Sequence, residues 1–150
     1  MSLMDHKNTR DPDQKKVMEE LESAGICHFC EGFASRHAKP ILFENKHWYT
    51  AEVTWPYTGS IHHCLIAVKR HVARTTELTG EEWLGMFEVI QWLDGHFKTP
   101  GFSLFSRNGD TKYTGATIVH LHFHFLVGGP RPEGFTLEQA LPVVLGYKAR

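Results

Sequence analysis

Residues Ile118 to Val127, Ile-Val-His-Leu-His-Phe-His-Phe-Leu-Val, alternate histidine with a large apolar side chain for three periods. An extended strand sends successive side chains to opposite faces, so this stretch is predicted to place His120, His122 and His124 on one face. Val119, Leu121, Phe123 and Phe125 then line the other, and that face demands a core beneath it. Three imidazoles in a row add nothing to a core and are costly to bury without hydrogen-bond partners, so the histidine face is expected to line a site. The chain must supply a sheet in which this strand has one dry face and one working face.

The rest of the sequence supplies neighbours for it. Asp11-Pro12 gives an N-cap and a first-turn proline, Val17, Met18, Leu21 and Ala24 recur at helical spacing, and Gly25 supplies a stop, which predicts a helix over 12–24. Residues 1–10 are polar and unpatterned and are expected to be loose, with 11–150 forming a single domain. Residues 40–44 and 48–55 are β-branched and aromatic in bias around a turn at Glu44-Asn45-Lys46, which predicts a hairpin. Cys64 to Val68 is a continuous apolar run, the pattern of a buried central strand. From Thr79 the period changes: Thr79 and Glu82 form a capping box, and Trp83, Met86, Phe87, Ile90, Leu93 and Phe97 are expected on the buried face of a main helix that ends at Thr99-Pro100-Gly101. Phe102 to Arg107 returns to strand and Asn108-Gly109-Asp110 ends it. A last helix is expected to start at Thr136 to Leu141, limited by Pro142. The sum is an α+β fold, an antiparallel sheet of about five strands with one main helix packed on it and the histidine row at an edge or end.

Charge and cysteine usage narrow the partners. Lys plus Arg is 16 against 17 Asp plus Glu, so no overall field draws nucleic acid or an anionic membrane, and any anionic ligand has to be held locally. No apolar run approaches the roughly 18 residues of a membrane span and no signal peptide is apparent, so a cytoplasmic location is expected. Of three cysteines, two stand as Cys27-His28-Phe29-Cys30, which suggests reduced thiols and a metal more than a disulfide.

His63 and His71 bracket the apolar run, and Asn108 stands at the end of another predicted strand. In these residues the sequence resembles the histidine triad family of nucleotide hydrolases and transferases. His120 to Leu126 matches its His-φ-His-φ-His-φ-φ pattern, with φ apolar, at every position; His63-Cys-Leu-Ile-Ala-Val-Lys69-Arg70-His71 resembles its upstream histidine-bracketed segment, and Asn108-Gly109 its strand-end asparagine. The likeness covers about residues 26–129.

The resemblance implies that His122 is the nucleophile on the α-phosphorus of a nucleotide, with a covalent nucleotidyl-histidine that water hydrolyses. It places His124 and His63 beside the reacting phosphate, Thr117 and His124 against phosphate or leaving group, and Asn108 as an orienting residue. It further implies a structural zinc held by Cys27, Cys30, His71 and His120, no catalytic metal, a nucleotide substrate such as a nucleoside phosphoramidate or a dinucleoside polyphosphate, and a homodimer. Val68 replaces the usual proline. Ala116 stands where many dinucleoside-polyphosphate hydrolases have Gln, which points away from that branch, and the Thr54-Trp55 region lacks the Asp that many members place on the ribose. The third histidine, His124, favours hydrolysis over transfer. Two other classes stand beside this reading: an enzyme using His120, His122 and His124 as ligands of a catalytic metal, which chelation would silence, and a nucleotide-binding scaffold without turnover.

Overall fold

A run as continuously apolar as Cys64–Val68 has to be covered on both faces, and it lies in the middle of the sheet. The computed structural model describes residues 2–150; Met1 lies outside the described residues. The strands are β1 (Ile41–Glu44), β2 (Trp48–Glu52), β3 (Ser60–Val68), β4 (Ser103–Ser106) and β5 (His122–Gly128), in the antiparallel order β1-β2-β3-β5-β4. The helices are α1 (Pro12–Ser23), a single turn α2 (Phe33–Arg36), α3 (Gly80–Phe97) and a single turn α4 (Thr111–Thr114). Among the described residues no helix is long and apolar enough to cross a membrane.

Register decides which side chains share a face. In the β3–β5 ladder His63 is opposite Leu126, Leu65 opposite His124 and Ala67 opposite His122, so these six side chains look the same way. Cys64, Ile66, Phe123, Phe125 and Val127 look the other way and pack with Met86, Val89 and Leu93 of α3. On the histidine side a second core gathers Met4, Met18, Cys27, Phe29, Phe33, Tyr49 and Ile118. The sheet is thus covered by α3 on one face and by the N-terminal third of the chain on the other, with the histidines beside that second layer.

Several expectations need correction. The histidine strand is not at an edge: β5 lies between β3 and β4. It also begins at His122, not at Ile118, and the residues before it bend, so His120 leaves the shared face. Residues 2–10 are not loose. Met4 is buried and bridges Ile118, Leu3 O accepts from Val119 N at 2.9 Å, and Asp5 N donates to Thr117 O at 2.8 Å, because the segment before β5 has no other strand to satisfy its backbone. On α3 the inward positions are Glu82, Met86, Val89 and Leu93, whereas Trp83 (43% exposed) and Phe87 (59% exposed) lie one residue round the 3.6-residue period. The expected last helix is one 3-10 turn, Leu137–Gln139, and the chain runs extended through Pro142.

Glu82 anchors α3. Its side chain accepts from Thr79 N at 2.8 Å in the capping box and from Arg70 Nε and Nη2 at 2.9 and 3.0 Å, and its carbonyl accepts from Trp48 Nε1 at 2.6 Å. The Arg70 guanidinium and the Thr79 amide hold its carboxyl down to about 2. Glu82→Ala removes half of the cap and leaves Arg70 and Thr79 without their acceptor, so it is expected to lower the unfolding free energy by about 1–3 kcal/mol in denaturant titration. A loss within 0.5 kcal/mol of zero would show that the cap is replaceable by water.

Candidate active site

His122 is the first residue of β5 and its ring sits against Phe29, with centroids 4.6 Å apart. Its Nδ1 lies 2.7 Å from the carbonyl of His120. A carbonyl can only accept, so Nδ1 carries the proton and Nε2 keeps a bare lone pair. Burial pulls the group down to about 4, partly opposed by that hydrogen bond, and Arg107 lowers it further. The ring is therefore neutral near pH 7 and holds one free nucleophilic nitrogen.

His63 and His124 are fixed by the same reasoning. The backbone N–H of Tyr57 donates to His63 Nδ1 at 3.1 Å, so His63 must carry its proton on Nε2. That nitrogen is 2.8 Å from His124 Nδ1 and donates to it, which leaves the proton of His124 on Nε2. The His124 ring is stacked on Phe105 (centroids 4.7 Å, planes 9° apart) and on Tyr57 (5.6 Å, 18°). One backbone amide thus sets the proton positions of two rings. The chain of bonds ends with His124 Nε2–H, 3.3 Å from Arg107 Nη1, where two donors meet with no acceptor between them.

These groups line a cavity of about 500 Å³. His63, His122, His124 and Thr117 all face it, so four of the sequence-predicted residues converge. Asn108 is not among its lining residues: its Oδ1 accepts from Thr75 N at 2.6 Å and its Nδ2 donates to Ser106 Oγ at 2.9 Å, which ties β4 to the loop after β3. Arg107, one residue earlier, reaches the cavity instead. Sequence reasoning missed Arg107, Arg10 and Tyr57. For Arg107 the signal was parity, since it lies two residues after Phe105, which pairs with His124.

The fourth-quarter histidine left over, His120, faces elsewhere. Its Nε2 donates to Val68 O at 2.6 Å, and its Nδ1 lies 3.5 Å from both Cys27 Sγ and Cys30 Sγ and 3.0 Å from His71 Nδ1. Cys30 Sγ is 3.2 Å from His71 Nδ1, and all four ligand atoms lie within 4.8 Å of one another. Arg36 holds the cysteine loop, donating to the carbonyls of Cys27, His28, Cys30 and Glu31 at 2.9–3.1 Å. Two thiols and two imidazole nitrogens, one of them bared by a second hydrogen bond at the far side of its ring, are a group that could hold a metal ion, and their number and type fit a closed tetrahedral zinc site. The three alternating histidines therefore do not share one site: the His120 ring turns to the cysteines, while Nδ1 of His122 and Nδ1 of His124 are each held by a hydrogen bond beside the cavity.

No protein-family model and no curated protein sequence matches this chain. Solved structures do resemble it. A histidine triad nucleotide-binding protein from Candida albicans superposes with a TM-score of 0.56 at 22% identity, over 73% of this chain and 85% of that one. A HIT family hydrolase from Clostridium thermocellum gives 0.55 at 22% identity over 74% and 96%, and a Zn-bound histidine triad family protein from Mycobacterium smegmatis gives 0.55 at 20% identity over 74% and 80%. The fold of this chain is the histidine triad fold.

Burial, then the nearby Arg10 guanidinium, pushes His63 down to about 3, well below the roughly 6.5 of an unfolded histidine. The unfolded chain thus takes up this proton first, so the stabilisation is complete above about pH 6.5 and is lost as pH falls from there toward 3. Unfolding free energies measured at a series of pH values should fall by up to about 1.4 kcal/mol per unit for this one group. His63→Gln should flatten the slope. Parallel slopes in wild type and variant would show that His63 does not titrate on unfolding.

Proposed function

We propose that this protein is a nucleotide-binding hydrolase that cleaves at the α-phosphorus of a nucleoside phosphoramidate or dinucleoside polyphosphate through a nucleotidyl group on His122. The observation that carries the reading is the His122 ring, fixed by the His120 carbonyl so that a bare Nε2 is left on a residue lining a cavity beside further N–H donors. The neighbours named as nucleotide-binding protein and hydrolase support it at the level of the fold.

In the first step the Nε2 lone pair forms the N–P bond and the bond from phosphorus to the leaving group breaks; its electron pair stays on the oxygen of a departing phosphate, or takes up a proton from water where the departing group is an amine. A water oxygen then attacks phosphorus, the P–N bond returns its pair to Nε2, and a proton from water passes to solvent. His124 Nε2–H and Arg107 Nη1–H are the donors available to the phosphoryl oxygens, the Thr117 hydroxyl would have to turn to them from its 3.4 Å contact with Asn8 O, and His63 holds the His124 ring in its tautomer. Asn108 acts indirectly, by holding Thr75. Preset donors and position are what phosphoryl transfer chiefly needs.

Cys27, Cys30, His71 and His120 would hold a structural zinc, which when bound ties the N-terminal layer to the residue whose carbonyl orients His122. A nearest assembly is a homodimer: α3 exposes Trp83, Leu84 and Phe87, and β4 leaves one edge unpaired. The cysteines are free, in keeping with the reducing cytoplasm.

His122→Ala is expected to fold like wild type and to lose at least about three orders of magnitude in kcat/KM, or about 4 kcal/mol of transition-state stabilisation. A panel of nucleoside phosphoramidates, dinucleoside polyphosphates and nucleotide sugars provides the assay. Acid-labile nucleotide trapped on wild type and equally on the variant would reassign the nucleophile.

For the metal, elemental analysis of untagged protein should return about one zinc per chain, and Cys27→Ser should lose it together with several degrees of melting temperature. Well under half an equivalent in wild type, with Cys27→Ser equally stable, would remove the zinc from this reading.

A further inference from the structure

We infer that Arg10 and Arg107 form an anion subsite beside His124, so that the displaced group departs as an anion and the substrate is a nucleoside phosphoric anhydride in preference to a phosphoramidate. This rests on the hydrolase reading above and chooses between its two substrate classes.

The first ground is the charge of the cavity wall. It carries Lys7, Arg10 and Arg107 and no Asp or Glu, and among the described residues no carboxylate pairs with either arginine. The Arg10 guanidinium lies 4.1 Å over the Tyr57 ring and that of Arg107 lies 5.9 Å from the same ring, which is itself stacked on His124. Two like charges therefore share one aromatic ring at the mouth of a site. Arg107 spends Nε and Nη2 on Val144 O, at 3.0 and 2.6 Å, which leaves Nη1 aimed at His124.

The second ground is the pair of donors that meet there. Both Arg107 Nη1 and His124 Nε2 carry hydrogen, and 3.3 Å apart neither can accept from the other. One anionic oxygen placed between them would take a hydrogen bond from each. A neutral amine nitrogen, once it has accepted one proton, offers no second lone pair to do the same.

The third ground is the proton count. An amine expelled from phosphorus must take up a proton as the P–N bond breaks. Here each ring holds a single proton, and the relay from His124 through His63 ends on the Tyr57 amide, which has none to give. Removing the Nε2 proton would leave an imidazolate. Burial and the two arginines hold His63 and His124 far on the neutral side, so no imidazolium stands ready. A phosphate needs no acid: the P–O bond breaks, its electron pair stays on the departing oxygen, and that charge grows against Arg107 and His124.

The test compares, for each common nucleobase, the phosphoramidate with the dinucleoside triphosphate, in wild type, Arg10→Gln, Arg107→Gln and Arg107→Lys. Among the described residues the Arg10 side chain makes no hydrogen bond, so its variant reads charge without disturbing the Val144 contact. The anhydride should have the higher kcat/KM in wild type, and each Gln variant should lower the anhydride-to-amidate ratio by about tenfold or more, with Arg107→Lys recovering part of it. A wild type that prefers the amidate, or variants that slow both substrates equally, would overturn the subsite. If wild type turns over neither class, the hydrolase reading fails, and calorimetry with inorganic tripolyphosphate then decides the subsite alone. Binding about tenfold weaker in both Gln variants supports it, and equal binding overturns it.

Discussion

The antiparallel ladder between β3 and β5 carries the site. From His63↔Leu126 to Ala67↔His122 it brings two distant histidine-bearing segments side by side, and the relay from His63 to His124 spans the two strands directly. Side-chain direction has a period of two, so a slip of one residue would drive the imidazoles into the α3 core and Phe123 and Phe125 into the cavity. The apolar faces on both sides of the sheet make that slip costly. Register is thus protected by hydrophobic burial, and the polar chemistry depends on it.

Backbone groups then finish what register begins. The Tyr57 amide and the His120 carbonyl are each a group of fixed polarity, and each dictates a tautomer. Side chains could titrate and change role with pH; an amide and a carbonyl cannot. The bend that ends the alternation before β5 has the same effect on His120, which supplies a ring to the cysteines and a carbonyl to His122. The cysteine cluster and the His122 ring meet in one residue.

Much of this was legible in the sequence because it is written in period and punctuation. The alternation, obeyed from His122 to Val127, the apolar run at 64–68, the Asp11-Pro12 start and the Thr79/Glu82 box each state a local rule that the fold obeys. The grouping of Cys27, Cys30, His71 and His120 followed from resemblance and agrees with the geometry. What failed were statements about neighbours. Whether Met4 packs or floats depends on a gap beside Ile118, and whether Phe87 or Val89 points inward depends on two residues of helix phase, about 200°. Arg10 and Arg107 stand far apart in sequence and share a ring that neither names. Ala116, read as the lack of an amide, is buried, while donors reach the cavity from Arg107 instead.

The stacking of His124 between neighbouring aromatic planes reaches beyond packing. Phe105 lies nearly parallel to the ring and Tyr57 almost so, so a half-turn about the Cβ–Cγ bond would have to sweep through occupied space. Such a turn would exchange nitrogen for carbon at both ends and break the relay. With it blocked, the orientational entropy of the donor is given up once, when the chain folds, and each arriving ligand meets a ring already in place.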